Sequence, residues 1–575
     1  GCWVPQPDSG ARSKSSRLPP QVKIASGGKK DYTIKKRCGV RSAGQDAGDE
    51  TMKRRDFCKG LAVTLAAGAL APAAALPQAG AATALVGRAV PDDFYTLWYR
   101  SDRCGADLRH DYYYSDSLFD HPATEYDNQL ALATLGMAAA ADCPWESDQR
   151  YWMEGEVGRA DHIRDAFAKL GFTEVQLFDY THSLNDTPDT VGCAVARKTL
   201  VRGGRQVTII GAFLRGSGYG AEWSGNLHAG PGSAHVGFVT AARQLVEKIR
   251  AYVQASAKRQ PLGTLKLWMG GYSRGGGVAN LVAARLPAVL PQLEKKNTFV
   301  YTFAAPASLT AADCPDLQQD YDNNHAADGR LKKDWGTSNI FNIVSSGDVI
   351  PRILPAEWGF YRNGNDRFLP STVIPEELEA LNDRSAGMEG TPIDFGRLAV
   401  TEEADAVLRS MLDLFCDRQT YYKGYEDAMR CMLQCATTRT EEEVTRGIVR
   451  DDAAVVAQLR SMELMQRFPQ EKVERCVQAA SALSRPVLEK LGSAVPLQAQ
   501  QIVIPMLAVG LCFELQPETV QLVADFVLST ITVKGQLSGI LKTVLCHFQE
   551  NYITVLEAYD PADHGMTPYT RREEL

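Results

Sequence analysis

The sequence predicts an α/β domain built on a mostly parallel sheet, with an all-α region inserted late in the chain. Three observations carry this expectation. Between residues 85 and 370, short β-rich runs alternate with amphipathic helical stretches. The β-rich runs are near-continuous apolar segments, the pattern of strands covered on both faces. From Pro375 onward the β signal vanishes and one helical pattern follows another.

The chain begins with a leader. Residues 1–51 are polar and basic, and are expected to be a disordered extension or a mis-assigned start. Residues 52–84 have the form of a twin-arginine signal peptide. Met52-Lys53-Arg54-Arg55 opens it, a mild Ala-rich run from Gly60 to Leu76 is broken by Pro72, and Ala-x-Ala sites end at Ala75, Ala81 and Ala84. Such a leader implies export to a periplasmic or extracellular space. The first 59 residues hold 14 Lys/Arg against 6 Asp/Glu, so the remainder is more acidic than the net −7 of the whole chain suggests. An acidic body argues against a nucleic-acid binder, which needs a basic face. Thirteen cysteines are scattered without CxxC pairs. No metal site is legible, and no cofactor is implied. Cys431 and Cys435, four residues apart on an expected helix, are expected to be a structural pair or simply buried.

Within the α/β region, spanning 85–370, the strand candidates are Gln206–Phe213, Leu265–Met269, Thr298–Phe303 and Ile340–Val344, with a helix at Val236–Ala255. Residues 375–545 form the all-α insertion, long enough for a packed bundle of its own. Residues 546–558 return to the core, and 559–575 form a polar, Pro-containing tail.

Gly271-Tyr272-Ser273-Arg274-Gly275 is the single G-x-S-x-G of the chain. It follows the strand LKLWM and opens the helical segment GGVANLVAARL, which is the strand–turn–helix context of a nucleophile elbow. The glycines permit the sharp turn that lifts the Ser273 hydroxyl clear of the sheet toward a base.

At this point the sequence resembles the class 3 (fungal-type) lipases of the α/β-hydrolase fold, and specifically bacterial members with a long helical insertion. The resemblance runs from about Arg202 to Gly359, with a further short piece at His547. Leu214-Arg215-Gly216-Ser217 resembles the family's Phe-Arg-Gly-Ser/Thr, and Glu222-Trp223-Ser224-Gly225-Asn226-Leu227 lies where the family carries its lid Trp and an Asn-Leu. Phe303-Ala304-Ala305-Pro306 resembles its Gly-Ala-Pro, and Gly347-Asp348-Val349-Ile350-Pro351-Arg352 its Asn-Asp-x-Val-Pro-Arg.

The resemblance implies a catalytic triad of Ser273, Asp348 and His547. The family order Ser…Asp…His leaves only His547 and His564 as the base. His547-Phe548-Gln549-Glu550-Asn551-Tyr552 resembles the family's His-x-Pro-Glu-x-Tyr, with Gln549 departing from the usual proline, whereas His564 lies in the tail. The 199 residues from Asp348 to His547 are accounted for by the insertion. The resemblance further assigns an oxyanion hole to Ser217 and the backbone N–H of Arg274, makes Arg215 a brace, and makes Trp223 a lid candidate.

The implied function is an exported serine ester hydrolase acting on acyl lipids, either a triacylglycerol lipase or a carboxylesterase. Its implied partners are acyl esters and, transiently, a lipid interface. Phospholipase A1-type activity and a catalytically dead binding protein on the same fold remain the alternatives. The insertion is expected to pack over the carboxyl edge of the sheet beside Ser273, because both of its ends must return there.

Overall fold

The structure, a computed structural model, describes residues 87–101, 107–142, 160–180, 188–217, 220–232, 234–310, 336–369, 401–415, 417–439, 441–495, 497–520, 546–560 and 570–571. The extension, the signal peptide and His564 lie outside the described residues.

At the centre is a seven-stranded sheet. Its strands are β3 (Thr173–Phe178), β4 (Cys193–Arg202), β5 (Arg205–Leu214), β6 (Thr264–Tyr272), β7 (Thr298–Phe303), β9 (Ile340–Ser345) and β11 (Asn365–Leu369). Their spatial order is β11-β9-β7-β6-β5-β4-β3. The five strands from β11 to β5 are mutually parallel, while β4 runs antiparallel to both β5 and β3. A hairpin of β1 (Asp93–Arg100) and β2 (Asp107–Tyr114) stands apart, and the two-residue β8 (Leu309–Thr310) and β10 (Phe360–Tyr361) pair with each other. This is the α/β-hydrolase fold, with extra helices.

Period-two side-chain alternation explains why the strands read as apolar runs. On β6, Trp268 enters one core and its neighbours Leu267 and Met269 enter the other. The first core holds helices α1 (Asn128–Ala141) and α2 (Asp161–Lys169) against the hairpin. The second holds α4 (Val236–Arg259) and α5 (Arg274–Val289), which make the crossovers β5–α4–β6 and β6–α5–β7. All four expected strands are present, each within a few residues of its expected ends, and the helix expected over 236–255 continues to Arg259. β4 carries no apolar run because Arg197 and Lys198 sit in its middle, both fully buried. Arg197 donates to the Ser256 carbonyl and to Gln260 Oε1, at 3.1 and 2.5 Å. Lys198 pairs with Asp116 and donates to the Leu170 carbonyl at 2.8 Å. Buried charge is tolerated where hydrogen bonds and ion pairs meet it, but it interrupts the apolar run of the strand.

A third core joins the late helices to the sheet. Described helices span Thr401–Phe415, Glu426–Thr437, Asp452–Ser461, Gln470–Leu491 and Leu497–Cys512. The last two form an antiparallel pair, since Lys472 meets Glu514 at 3.0 Å and the Phe468 and Phe513 rings stack edge-on at 4.9 Å. Their apolar faces cluster with Ala229, Ala307, Leu354, Trp358 and Phe360, in the segments that follow the carboxyl ends of β5, β7 and β9. The late helices thus share an apolar cluster with residues that follow the carboxyl ends of these strands. Cys431 and Cys435 are buried free thiols in this cluster, and burial pushes the Cys431 thiol up to about 12.

Polar contacts fix this union at one loop. Glu426 accepts from the Gly230 N–H at 2.8 Å. Arg418 donates to the Gly230 and Gly232 carbonyls at 2.7 and 2.6 Å, and the Tyr421 hydroxyl donates to the Leu227 carbonyl at 2.9 Å. Farther along, Arg352 and Asp405 form an ion pair.

Candidate active site

Ser273 stands between β6 and α5 with φ 54° and ψ −125°, a left-handed region that costs a non-glycine residue roughly 1–3 kcal/mol. The flanking glycines have a steric reason. A β-carbon on Gly271 would lie 2.5 Å from the Gly275 carbonyl group, and one on Gly275 would lie 2.4 Å from the Leu214 and Arg215 oxygens. The Ser273 N–H is held by the Phe303 carbonyl at 2.9 Å, which stitches the elbow to the end of β7.

The structure brings the three predicted triad residues together. Ser273 Oγ lies 2.8 Å from His547 Nε2, and His547 Nδ1 lies 2.7 Å from Asp348 Oδ2. Asp348 is wholly buried past the end of β9. Its Oδ1 accepts from the Ile350 N–H at 2.9 Å, and Oδ2 also accepts from the Tyr552 hydroxyl at 2.8 Å. That hydroxyl in turn accepts from the Ser345 N–H at 3.0 Å. The histidine loop is held from a second side, where the Tyr272 hydroxyl donates to the His547 carbonyl at 2.8 Å. With Asp348 accepting at Nδ1, the imidazole keeps Nε2 as the acceptor that faces the serine hydroxyl.

Arg274 follows the nucleophile directly, and Ser217 lies on the loop after β5. The first helical hydrogen bond of α5 runs from the Gly277 N–H to the Ser273 carbonyl, which places the Arg274 N–H in the first turn, at the helix's positive end. The Arg274 side chain has a different task. Its guanidinium is buried, donates to the carbonyls of Pro188 and Thr190 at 2.8 and 3.0 Å, and lies over the Phe238 ring. It also donates to Asn226 Oδ1 at 2.8 Å, while Asn226 Nδ2 donates to Ser217 Oγ at 2.8 Å. With that oxygen accepting from Asn226, the Ser217 hydroxyl proton is left to donate elsewhere. Asn226 thus links the Ser217 hydroxyl to the side chain of the residue that follows the nucleophile.

Arg215 is the brace the sequence suggested. It is fully buried and grips the equally buried Glu222 with Nη1 and Nη2, at 2.7 and 3.1 Å. Glu222 opens the short helix α3 (Gly220–Gly225), which carries the lid candidate Trp223. Trp223 is half-buried against the third core, beneath the late helices. The segment in the lid position is therefore fastened at both Glu222 and Trp223.

His235 caps α4 next to this site. Its Nδ1 accepts from the Phe238 N–H at 3.2 Å, its Nε2 lies 3.0 Å from the Asn226 carbonyl, and burial lowers its pKa to about 3. The neutral ring with hydrogen on Nε2 satisfies both contacts.

Residues 216–358 match the model of the family Lipase (class 3). No curated protein matches the sequence. Among solved structures, the chain is similar to the Rhizomucor miehei triacylglyceride lipase at 20% identity, over 42% of this chain and 79% of that one, with a TM-score of 0.29. It is similar to a lipase from Rhizopus microsporus var. chinensis at 16% identity, over 42% and 75%, with a TM-score of 0.28. It is also similar to lipase II from Rhizopus niveus at 17% identity, over 42% and 80%, with a TM-score of 0.27. The family match covers residues 216–358 of the 575, and it supports reading the chain as a serine ester hydrolase.

Proposed function

We propose that the chain is exported through its twin-arginine leader and hydrolyses acyl-lipid esters through an acyl-enzyme on Ser273. The observation that carries this is the continuous hydrogen-bond line from Ser273 Oγ through His547 to buried Asp348, on a strained elbow.

In the first half-reaction Ser273 Oγ attacks the ester carbonyl carbon while His547 Nε2 takes its proton. Asp348 stabilises the imidazolium so formed. The tetrahedral oxyanion is held by the Arg274 N–H and by Ser217, each donor contributing on the order of 3 kcal/mol to the transition state. The C–O bond of the ester breaks and the leaving alcohol takes the proton from Nε2. Water, deprotonated by the same nitrogen, then releases the fatty acid and restores Ser273. The late helices, seated on the carboxyl-edge loops, wall the acyl side of this site and set chain-length preference.

A fluorophosphonate probe tests the proposal, with expected stoichiometric labelling of the wild type at Ser273 and none of Ser273→Ala. An unlabelled wild type would instead make the chain a binding protein on a hydrolase fold. A panel of p-nitrophenyl esters with triolein and phosphatidylcholine separates lipase, esterase and phospholipase A1 activity. Replacing Arg54-Arg55 with Lys-Lys should stop export, and continued secretion would remove the twin-arginine route from the proposal.

A further inference from the structure

We propose that Asp142 is a positioning residue of this site, its carboxylate tying the oxyanion loop to the loop that bears the catalytic histidine. The inference rests on the triad reading above.

Asp142 caps the C-terminus of α1, far in sequence from every residue of the triad, and is 4% exposed. Its two oxygens are divided between two loops. Oδ1 accepts from the Gly216 N–H at 2.6 Å, one residue before Ser217. Oδ2 accepts from Gln549 Nε2 at 2.7 Å, two residues after His547. One buried carboxylate thus sets the distance between the oxyanion donor and the base.

Two further observations show that the local sequence is shaped to this contact. A β-carbon on Gly216 would lie 2.9 Å from Asp142 Oδ1, so only glycine lets the carboxylate approach that closely. Gln549 stands where the resembled family carries proline, which has no side-chain amide to offer. The departure from the family motif is what supplies the donor.

The carboxylate also has a rigid mount. α1 is buried almost all round, packs in the same core as Phe213, Trp268 and Tyr301 of the sheet, and has its last carbonyl, that of Ala141, held by the Tyr180 hydroxyl at 3.1 Å. Hydrogen bonds to a buried carboxylate are strong, and truncation leaves the Gly216 N–H without this acceptor. Both loops then lose their common reference. A displacement of about 1 Å between base and oxyanion donor can cost up to ~100-fold in turnover.

The test uses the full-length mature enzyme, with kcat taken per site titrated by fluorophosphonate, so that loss of folded protein does not count. Asp142→Ala should lower kcat by about 10- to 100-fold with KM changed less than about threefold. Gln549→Leu should lower kcat by roughly 3- to 10-fold, and the double variant should be no worse than Asp142→Ala. Asp142→Asn should recover most of the loss, because its Oδ1 can accept from Gly216 while its Nδ2 donates to a turned Gln549 amide. A purely structural role would lower the titrated fraction and leave kcat per site alone. Wild-type kcat in Asp142→Ala overturns the inference. If Asp142→Ala fails to fold, wild-type kcat in Gln549→Leu does so. An active Ser273→Ala would instead overturn the triad reading, a separate failure.

Discussion

The carboxyl-edge loops and the late helices are held in place by different physics. Each catalytic side chain sits in a loop fixed by buried, directional hydrogen bonds: Asp348 by Ile350 and Tyr552, Ser217 by Asn226, and His547 through Tyr272. The helices from 401 to 512 instead rest on the loops through a broad apolar cluster, with polar fastening concentrated at residues 227–232. Directional bonds define positions to fractions of an ångström, whereas apolar contact fills volume and tolerates repacking. On the proposed reading, chemistry belongs to the loops and the shape of the acyl site to the helices.

Substitutions on the two sides should separate these roles. The largest effect is expected at Asp348→Asn, which should lower kcat about 10⁴-fold for every ester tested, by leaving His547 in the wrong tautomer. An equal loss from a change in the helices would erase the contrast. Asn226→Ala should follow, with kcat down roughly 10- to 100-fold and KM nearly unchanged, since it holds the Ser217 hydroxyl and the Arg274 side chain. Steady-state kinetics on one short ester decide both.

Arg418→Ala acts on the other side. Removing two buried donors to the Gly230 and Gly232 carbonyls should cost about 1–3 kcal/mol by urea unfolding. On a short ester kcat should change less than about threefold, while the ratio of long- to short-chain ester hydrolysis shifts. An unchanged chain-length profile would remove the helices from specificity.

The effect confined to acid pH, and absent at neutrality, is on pH dependence. His235 is neutral when folded, with its pKa lowered from 6.5 to about 3 by burial. Between those values the unfolded chain binds a proton that the folded chain does not. Stability therefore falls as pH drops through that window, by up to about 1.4 kcal/mol per pH unit. His235→Asn keeps a capping acceptor and should flatten this slope by one proton, as urea melts across the window would read.

The sequence by itself determined the nucleophile, the parallel core strands and the helical texture of the late region. Each has a local signature: the glycines around Ser273 answer steric demands within five residues, apolar runs follow from strands covered on both faces, and helical periodicity repeats every turn. His547 and Asp348 were legible through the order of short motifs, not through any local property that distinguishes a base from a surface histidine. Only the tertiary structure decided what holds them. The Asp142 contacts span 74 and 407 residues, the Tyr552 bond to Asp348 spans 204, and the Glu426 contact with Gly230 spans 196. The strand with Arg197 and Lys198 at its centre has no local signature for the same reason, since its buried cations find their partners on other elements. A hydrogen bond between distant segments imposes a distance and an angle on two side chains but no pattern on the residues beside them, so it becomes visible only when the chain has folded.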